Sequence, residues 1–274
     1  VQPFGHRQRT FAKESAMEPH PPVPETAEAQ PVSPPESASD RLGFRHRLSV
    51  RLWHWINAVV IFVMLGSGLM IFNAHPRLYW GHFGANFDPA WLELPRFPGW
   101  ATIPSTYNLA LARHWHLAFA WILAFGLLAY MIGSLINGHF RKDVALSRGE
   151  VAPGHLWEDI KKHARFDFHE EEARYNPLQK ITYSIVLFVL IPGIILTGLT
   201  MSPGMNAAWP WLVDLFGGRQ SARSLHFIFA AGIAAFIVIH VALVVLAGPV
   251  NELRSMITGW FRLPPPRTVS GDAS

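Results

Sequence analysis

Four long stretches of the chain carry no Asp, Glu, Lys or Arg: residues 52–76, 114–140, 181–213 and 224–251. Each holds roughly 20 mainly apolar residues, enough for a helix rising 1.5 Å per residue to cross a hydrocarbon layer about 30 Å thick. The pattern predicts membrane spans near 53–73, 114–137, 181–201 and 224–247. A soluble chain of 274 residues seldom holds four such runs. The expected fold is therefore all-α: an integral membrane four-helix bundle. After the fourth run, "NELRSMITGWF" predicts a short C-terminal interfacial helix anchored by Trp260 and Phe261.

The flanking segments divide the chain further. Residues 1–40 are rich in Pro, Glu, Ala and Ser without apolar periodicity, which predicts a disordered N-terminal tail. No signal-peptide core is visible in it, so neither cleavage nor export of the tail is expected. The domain expectation is a tail over 1–40, a membrane domain over 41–263 and a C-terminal tail over 264–274. Pro192 predicts a kink in the third span.

Composition agrees with the lipid reading. Only 15% of residues are charged and 50% are hydrophobic, against about 25% charged in ordinary soluble domains. The net charge is +4, and its distribution explains it. With the N-terminus inside, the inner segments hold 18 Lys and Arg and the outer loops hold 5. That asymmetry predicts both termini in the cytoplasm and removes the case for nucleic-acid binding. The long outer loop, "NAHPRLYWGHFGANFDPAWLELPRFPGWATIPSTY", is aromatic and proline-rich, consistent with an interfacial belt or a docking surface.

The chain has no cysteine, which excludes disulfides, iron–sulfur clusters and covalent c-type haem, but it has 14 histidines. His226 and His240 both lie in the fourth apolar run. Fourteen residues bring them to one helix face about 21 Å apart, too far to share a metal and suited to two cofactors stacked across the membrane. An ionisable side chain inside an apolar span is costly and usually functional. Topology supplies partners. His226 enters from outside and can meet His114 or His116, whereas His240 lies toward the inside, where His54 is available. Arg51–His54, Arg113–His116 and Arg223–His226 repeat one Arg-x-x-His pattern. It puts the Arg one turn nearer the surface, placed to pair with haem propionates, and it favours His116 over His114. Small residues at Gly66, Gly68, Gly126, Gly133, Thr197–Leu199 and Gly232 suit flat rings or plain helix contacts. No P-loop, dinucleotide fingerprint or nucleophile–base pair is present.

The stretches "HRLSVRLWHWINA", "FNAHPRLYWG", "RHWHLAFAW", "YNPLQKITY", "LTGLTMSP" and "RSLHF…IH" together resemble one family across residues 44–250. These are the four-helix di-haem b-type cytochrome subunits of bacterial hydrogenases, formate dehydrogenases, thiosulfate reductases and molybdopterin oxidoreductases. The resemblance implies two haem b groups, one on the cytoplasmic side held by His54 and His240, one on the periplasmic side held by His116 and His226. It also implies a quinone pocket near the inner haem, with Asn176 of "YNPLQK" as a contact. The expected role is electron transfer between a periplasmic oxidoreductase and the quinone pool in the bacterial inner membrane. A molybdopterin partner is favoured over a hydrogenase on the wording of "FNAHPRLYWG". The alternatives are a stand-alone di-haem quinone oxidoreductase fed by a small molecule, and a metal or proton transporter, made thin by the lack of an internal repeat.

Overall fold

The computed structural model describes residues 42–138 and 177–263, with single positions 154 and 161. Four helices long and apolar enough to cross a membrane run over Leu48–Phe72, Lys180–Met201, Leu109–Ile136 and Arg219–Ala247. The first, second and fourth each begin five residues before the expected start. A charge marks the edge of the hydrocarbon, not the end of the helix, so one further turn stays helical in the headgroup layer. The second span is capped there: the Asn108 side chain accepts the Leu111 N–H at 3.0 Å.

The third span is not a uniform helix. It runs as an α-helix over Pro177–Ile185, a π-helical turn over Val186–Leu190 and a second α-helix over Ile191–Met201. Pro192 has no N–H, and its ring excludes the carbonyl four residues back. The register widens just before it, and the Ile191 N–H reaches the Val186 carbonyl. The kink expected from Pro192 thus takes the form of a π-turn.

Val60, Leu123, Leu127 and Ile191 form a buried apolar centre between the first three spans, with Trp53, Met64, Phe119 and Val186 packed against it. Elsewhere large apolar side chains face outward: Phe62 is 74% exposed and Val238 70%. The fourth span is the most hydrophobic of the four, yet only 6% of its apolar window is buried. Such a surface is stable only where lipid replaces water, so this is an integral membrane protein.

Two small antiparallel ribbons brace the ends. At one end β1 (Leu42–Phe44) pairs with β4 (Trp260–Arg262), in the register Leu42↔Arg262 to Phe44↔Trp260. The helix of the predicted interfacial segment covers Pro249–Thr258 and is stopped by Gly259 at φ +91°. Trp260 and Phe261 therefore lie in a strand, not in the helix as expected. Trp260 packs edge-on against Phe44, with centroids 5.4 Å apart, and Arg45 binds Glu252 at 3.2 Å. Trp55 of the first span donates to the Met256 carbonyl at 3.1 Å, tying span and ribbon together.

At the opposite end β2 (Arg77–Leu78) pairs with β3 (Leu92–Glu93) inside the long aromatic loop. This loop grips the start of the fourth span. The Gly81 carbonyl accepts the N–H groups of Gln220 and Ser221, two donors that the helix itself leaves unpaired. The Gly81 N–H donates to Ser221 Oγ at 2.7 Å. Ser224, fully buried, donates to the Tyr79 carbonyl at 2.6 Å and accepts from the Trp91 indole at 2.9 Å. Gly218, at φ +111°, admits the approach, since a Cβ there would sit 2.4 Å from the Gly81 oxygen. The loop is thus a clamp that fixes the depth of the fourth span.

Two outcomes follow. Ser224→Ala strands the Trp91 N–H and the Tyr79 carbonyl, so it should destabilise the fold by about 1–3 kcal/mol, read as a lowered unfolding midpoint in detergent. The second concerns His46, buried just ahead of the first span. Burial foremost, then the charges of Arg45, His54 and Arg51, push its pKa from 6.5 down to about 4. Between those values the unfolded chain binds the proton more readily, so this contribution is complete above pH 6.5 and is lost as pH falls toward 4. His46→Gln should flatten the pH dependence of unfolding in that window relative to wild type. Parallel slopes would refute it.

Candidate functional site

The fourth span presents two histidines from one unbroken helix. His226 is the eighth residue of Arg219–Ala247, and His240 is followed by seven. Each meets an imidazole from another span. The His116 and His226 ring centroids are 6.1 Å apart with planes at 60°. The His54 and His240 centroids are 6.3 Å apart with planes at 58°. His114 is exposed and takes no part.

The depths agree as well. His116 is the eighth residue of its helix, as His226 is of its own, and His54 is the seventh of Leu48–Phe72. His54 thus stands six residues from the start of its helix and His240 seven from the end of its own.

A metal between two imidazoles, with metal–nitrogen bonds near 2 Å, places the ring centroids roughly 6 Å apart. Both pairs have that separation. Among the described residues no group of three or more His, Asp or Glu could hold a metal ion. Two separate imidazole pairs fit bis-histidine haem sites and do not fit a zinc cluster.

The outer pair is held from behind. Ser67 Oγ lies 3.0 Å from His116 Nδ1, and Thr197 Oγ1 lies 3.1 Å from His226 Nδ1. Both hydroxyl residues are fully buried. The glycine after each leaves room for the ring: a Cβ at Gly68 or Gly198 would stand 3.4 Å from the histidine Cε1. One hairpin, spans one and two, thus carries Ser67–Gly68 facing His116. The other, spans three and four, carries Thr197–Gly198 facing His226. The sequence repeats with it: "SGLM" (67–70) against "TGLTM" (197–201), and Arg-x-x-His-x-x-Phe-Ala at both 113–120 and 223–230. The Arg-x-x-His half of this repeat is plain in the sequence, the hydroxyl–glycine half is not, and together they correct the expected lack of an internal repeat. Its signal is a hydroxyl before glycine on one span and Arg-x-x-His on the next.

The inner pair is less closely held. His240 stacks on Phe236 at 5.6 Å, and His54 lies edge-on to Trp55 at 5.1 Å. His54 Nδ1 and Arg51 Nε are buried without a hydrogen-bond partner. An orphaned guanidinium nitrogen one turn toward the surface from an imidazole suits an anionic group beside the ring plane.

The other arginines differ. Arg223 donates to the His75 carbonyl and lies 6.0 Å from the Phe72 ring centroid, so it helps to hold the outer loop. Arg113 is exposed. Asn176 lies outside the described residues, as do the tail over 1–40 and most of the 138–180 loop. Gly126 closes on the Trp53 ring, where a Cβ would come within 2.6 Å, whereas Gly133 faces open space.

Comparison with known proteins places this geometry. The family described as prokaryotic cytochrome b561 matches residues 45–259. A chain of Azospira oryzae described as a protein-methionine-sulfoxide reductase subunit, YedZ1, is 30% identical over 211 residues, covering 77% of this chain and 93% of its own. An Azotobacter vinelandii Ni/Fe-hydrogenase B-type cytochrome subunit is 24% identical over 229 residues, with coverages of 77% and 85%. The Escherichia coli cytochrome YdhU is 28% identical over 221 residues, with coverages of 78% and 72%. No solved structure matches.

Proposed function

The chain belongs to the prokaryotic cytochrome b561 family, and from that premise we propose a di-haem electron-transfer subunit working between a periplasmic redox enzyme and the quinone pool. The coarser part is not in question: it is a membrane b-type cytochrome, and its family implies haem b. The finer part rests on one observation, the two cross-helix imidazole pairs, 6.1 and 6.3 Å apart, strung along a single helix.

In this reading His116 and His226 hold the periplasmic-side haem, and His54 and His240 the cytoplasmic-side haem. Haem b, when bound, supplies a one-electron iron couple. Held by an imidazole pair, each haem would serve electron transfer and not oxygen binding. Arg51 is placed to pair with an inner propionate. Asn176, in the segment before the third span, is proposed as a quinone contact near the inner site. The 18-to-5 distribution of Lys and Arg supports an inner-membrane orientation with both termini in the cytoplasm.

The partner is proposed as a redox enzyme, because relatives include subunits described for a hydrogenase and for a methionine-sulfoxide reductase. The molybdopterin preference stood on "FNAHPRLYWG" alone, and much of that segment is occupied with the fold. Asn73 bonds the Phe97 backbone in both directions, Arg77 binds Glu93 at 2.9 Å, and Tyr79 receives Ser224. It therefore carries no argument about the partner's cofactor.

The test is a reduced-minus-oxidised spectrum with haem quantified per chain. Wild type should hold two haems, and His54→Ala or His226→Ala should each lose one and keep most of the other. Two haems per chain in both variants would overturn the ligand assignment.

A further inference from the structure

Ser67 and Thr197 do more than fill space. Ser67 Oγ lies 2.7 Å from the Val63 carbonyl oxygen, and Thr197 Oγ1 lies 2.7 Å from that of Gly193. Two oxygens that close must share a hydrogen, and a carbonyl has none to give. The single hydroxyl hydrogen is thereby committed to the residue's own helix. What each hydroxyl turns toward His116 or His226 is a lone pair, so the ring nitrogen facing it has to be the donor. The N–H is then on Nδ1, and Nε2 keeps the lone pair that a metal needs.

We propose that Ser67 and Thr197 are positioning residues for the outer haem: each accepts the Nδ1–H of its histidine, fixing the tautomer and the ring plane with Nε2 directed at the iron. The inference rests on the ligand assignment above and extends it to residues outside the ligand set. Two independent hairpins build the same device, hydroxyl, glycine and histidine alike, with hydrogen-bond lengths that agree within 0.1 Å. The inner pair differs, because His54 Nδ1 has no acceptor. An accepted Nδ1–H increases the basicity of the ligating nitrogen and favours ferric iron. Removing the acceptor should therefore raise the midpoint potential of the outer haem and leave the inner one where it is.

The experiment is a redox titration of the purified, haem-loaded protein carrying Ser67→Ala or Thr197→Val, with haem per chain and the low-spin ferric EPR spectrum recorded alongside. Both variants should retain two haems, shift one of the two potentials upward, and alter one of the two EPR signals, which report the angle between the ligand planes. The hydroxyl-preserving variants Ser67→Thr and Thr197→Ser should behave as wild type. Unchanged potentials and spectra in the first two variants would overturn the proposal. So would equal shifts in the hydroxyl-preserving pair, since packing and not hydrogen bonding would then be responsible. If His116→Ala and His226→Ala kept both haems, the ligand assignment itself would fail, which is a separate and distinguishable result.

Discussion

An imidazole inside a bilayer has an N–H and a lone pair to satisfy, and no water with which to do it. Most of this structure can be traced to that constraint. A histidine that spends its Nε2 lone pair on a metal keeps an N–H on its other nitrogen, and an acceptor satisfies it. That acceptor must come from a neighbouring span at a fixed depth. Ser67 and Thr197 meet the requirement on the outer side. Their depth relative to His116 and His226 is set by how the helices end, which gives the outer loop its task. By capping the fourth span through Gly81 and gripping Ser221 and Ser224, the loop fixes the height at which His226 stands.

Much of this was legible in the sequence because the bilayer simplifies the problem. Uninterrupted apolar runs announce spans, basic residues announce sides, and a histidine at mid-run is too costly to be incidental. Topology offers His54 to His240 and leaves His114 or His116 for His226, and the Arg-x-x-His pattern favours His116. The helix starts were less legible. The uncharged run at 52–76 hides a helix that begins at Leu48 and takes in Arg51, because backbone hydrogen bonding does not stop where hydrocarbon does. With its true start, His54 lies a full turn and more inside its helix.

The hydroxyls and the clamp were hidden for another reason. A Ser or Thr in a span has many possible uses, and only tertiary geometry brings Ser67 Oγ within reach of both the Val63 carbonyl and His116 Nδ1. The loop's aromatic residues suggested a membrane belt or a docking surface by composition. Trp91 spends its indole N–H on Ser224, whereas Phe83, Phe87 and Trp100 of the same loop stay exposed. Composition cannot separate these roles, because interface seeking and internal packing use the same amino acids.

The two ends of the bundle are built on different principles. The outer site is sealed by a continuous loop, two hydroxyl acceptors and two glycines that admit the rings. The inner site is closed by a ribbon joining residues far apart in the chain, Leu42–Phe44 with Trp260–Arg262, and keeps Arg51 Nε and His54 Nδ1 unpaired. Two haems with identical surroundings would have near-identical potentials, and nothing in the protein would distinguish one end from the other. Here a twofold repeat supplies the outer pair, whereas the inner pair draws on its first and last spans without repeating the hydroxyl device. In the proposed reading, an acceptor behind His116 and His226 and none behind His54 would make the two irons chemically unequal. Such an inequality would suit the proposed role, in which one chain carries electrons between two different redox partners.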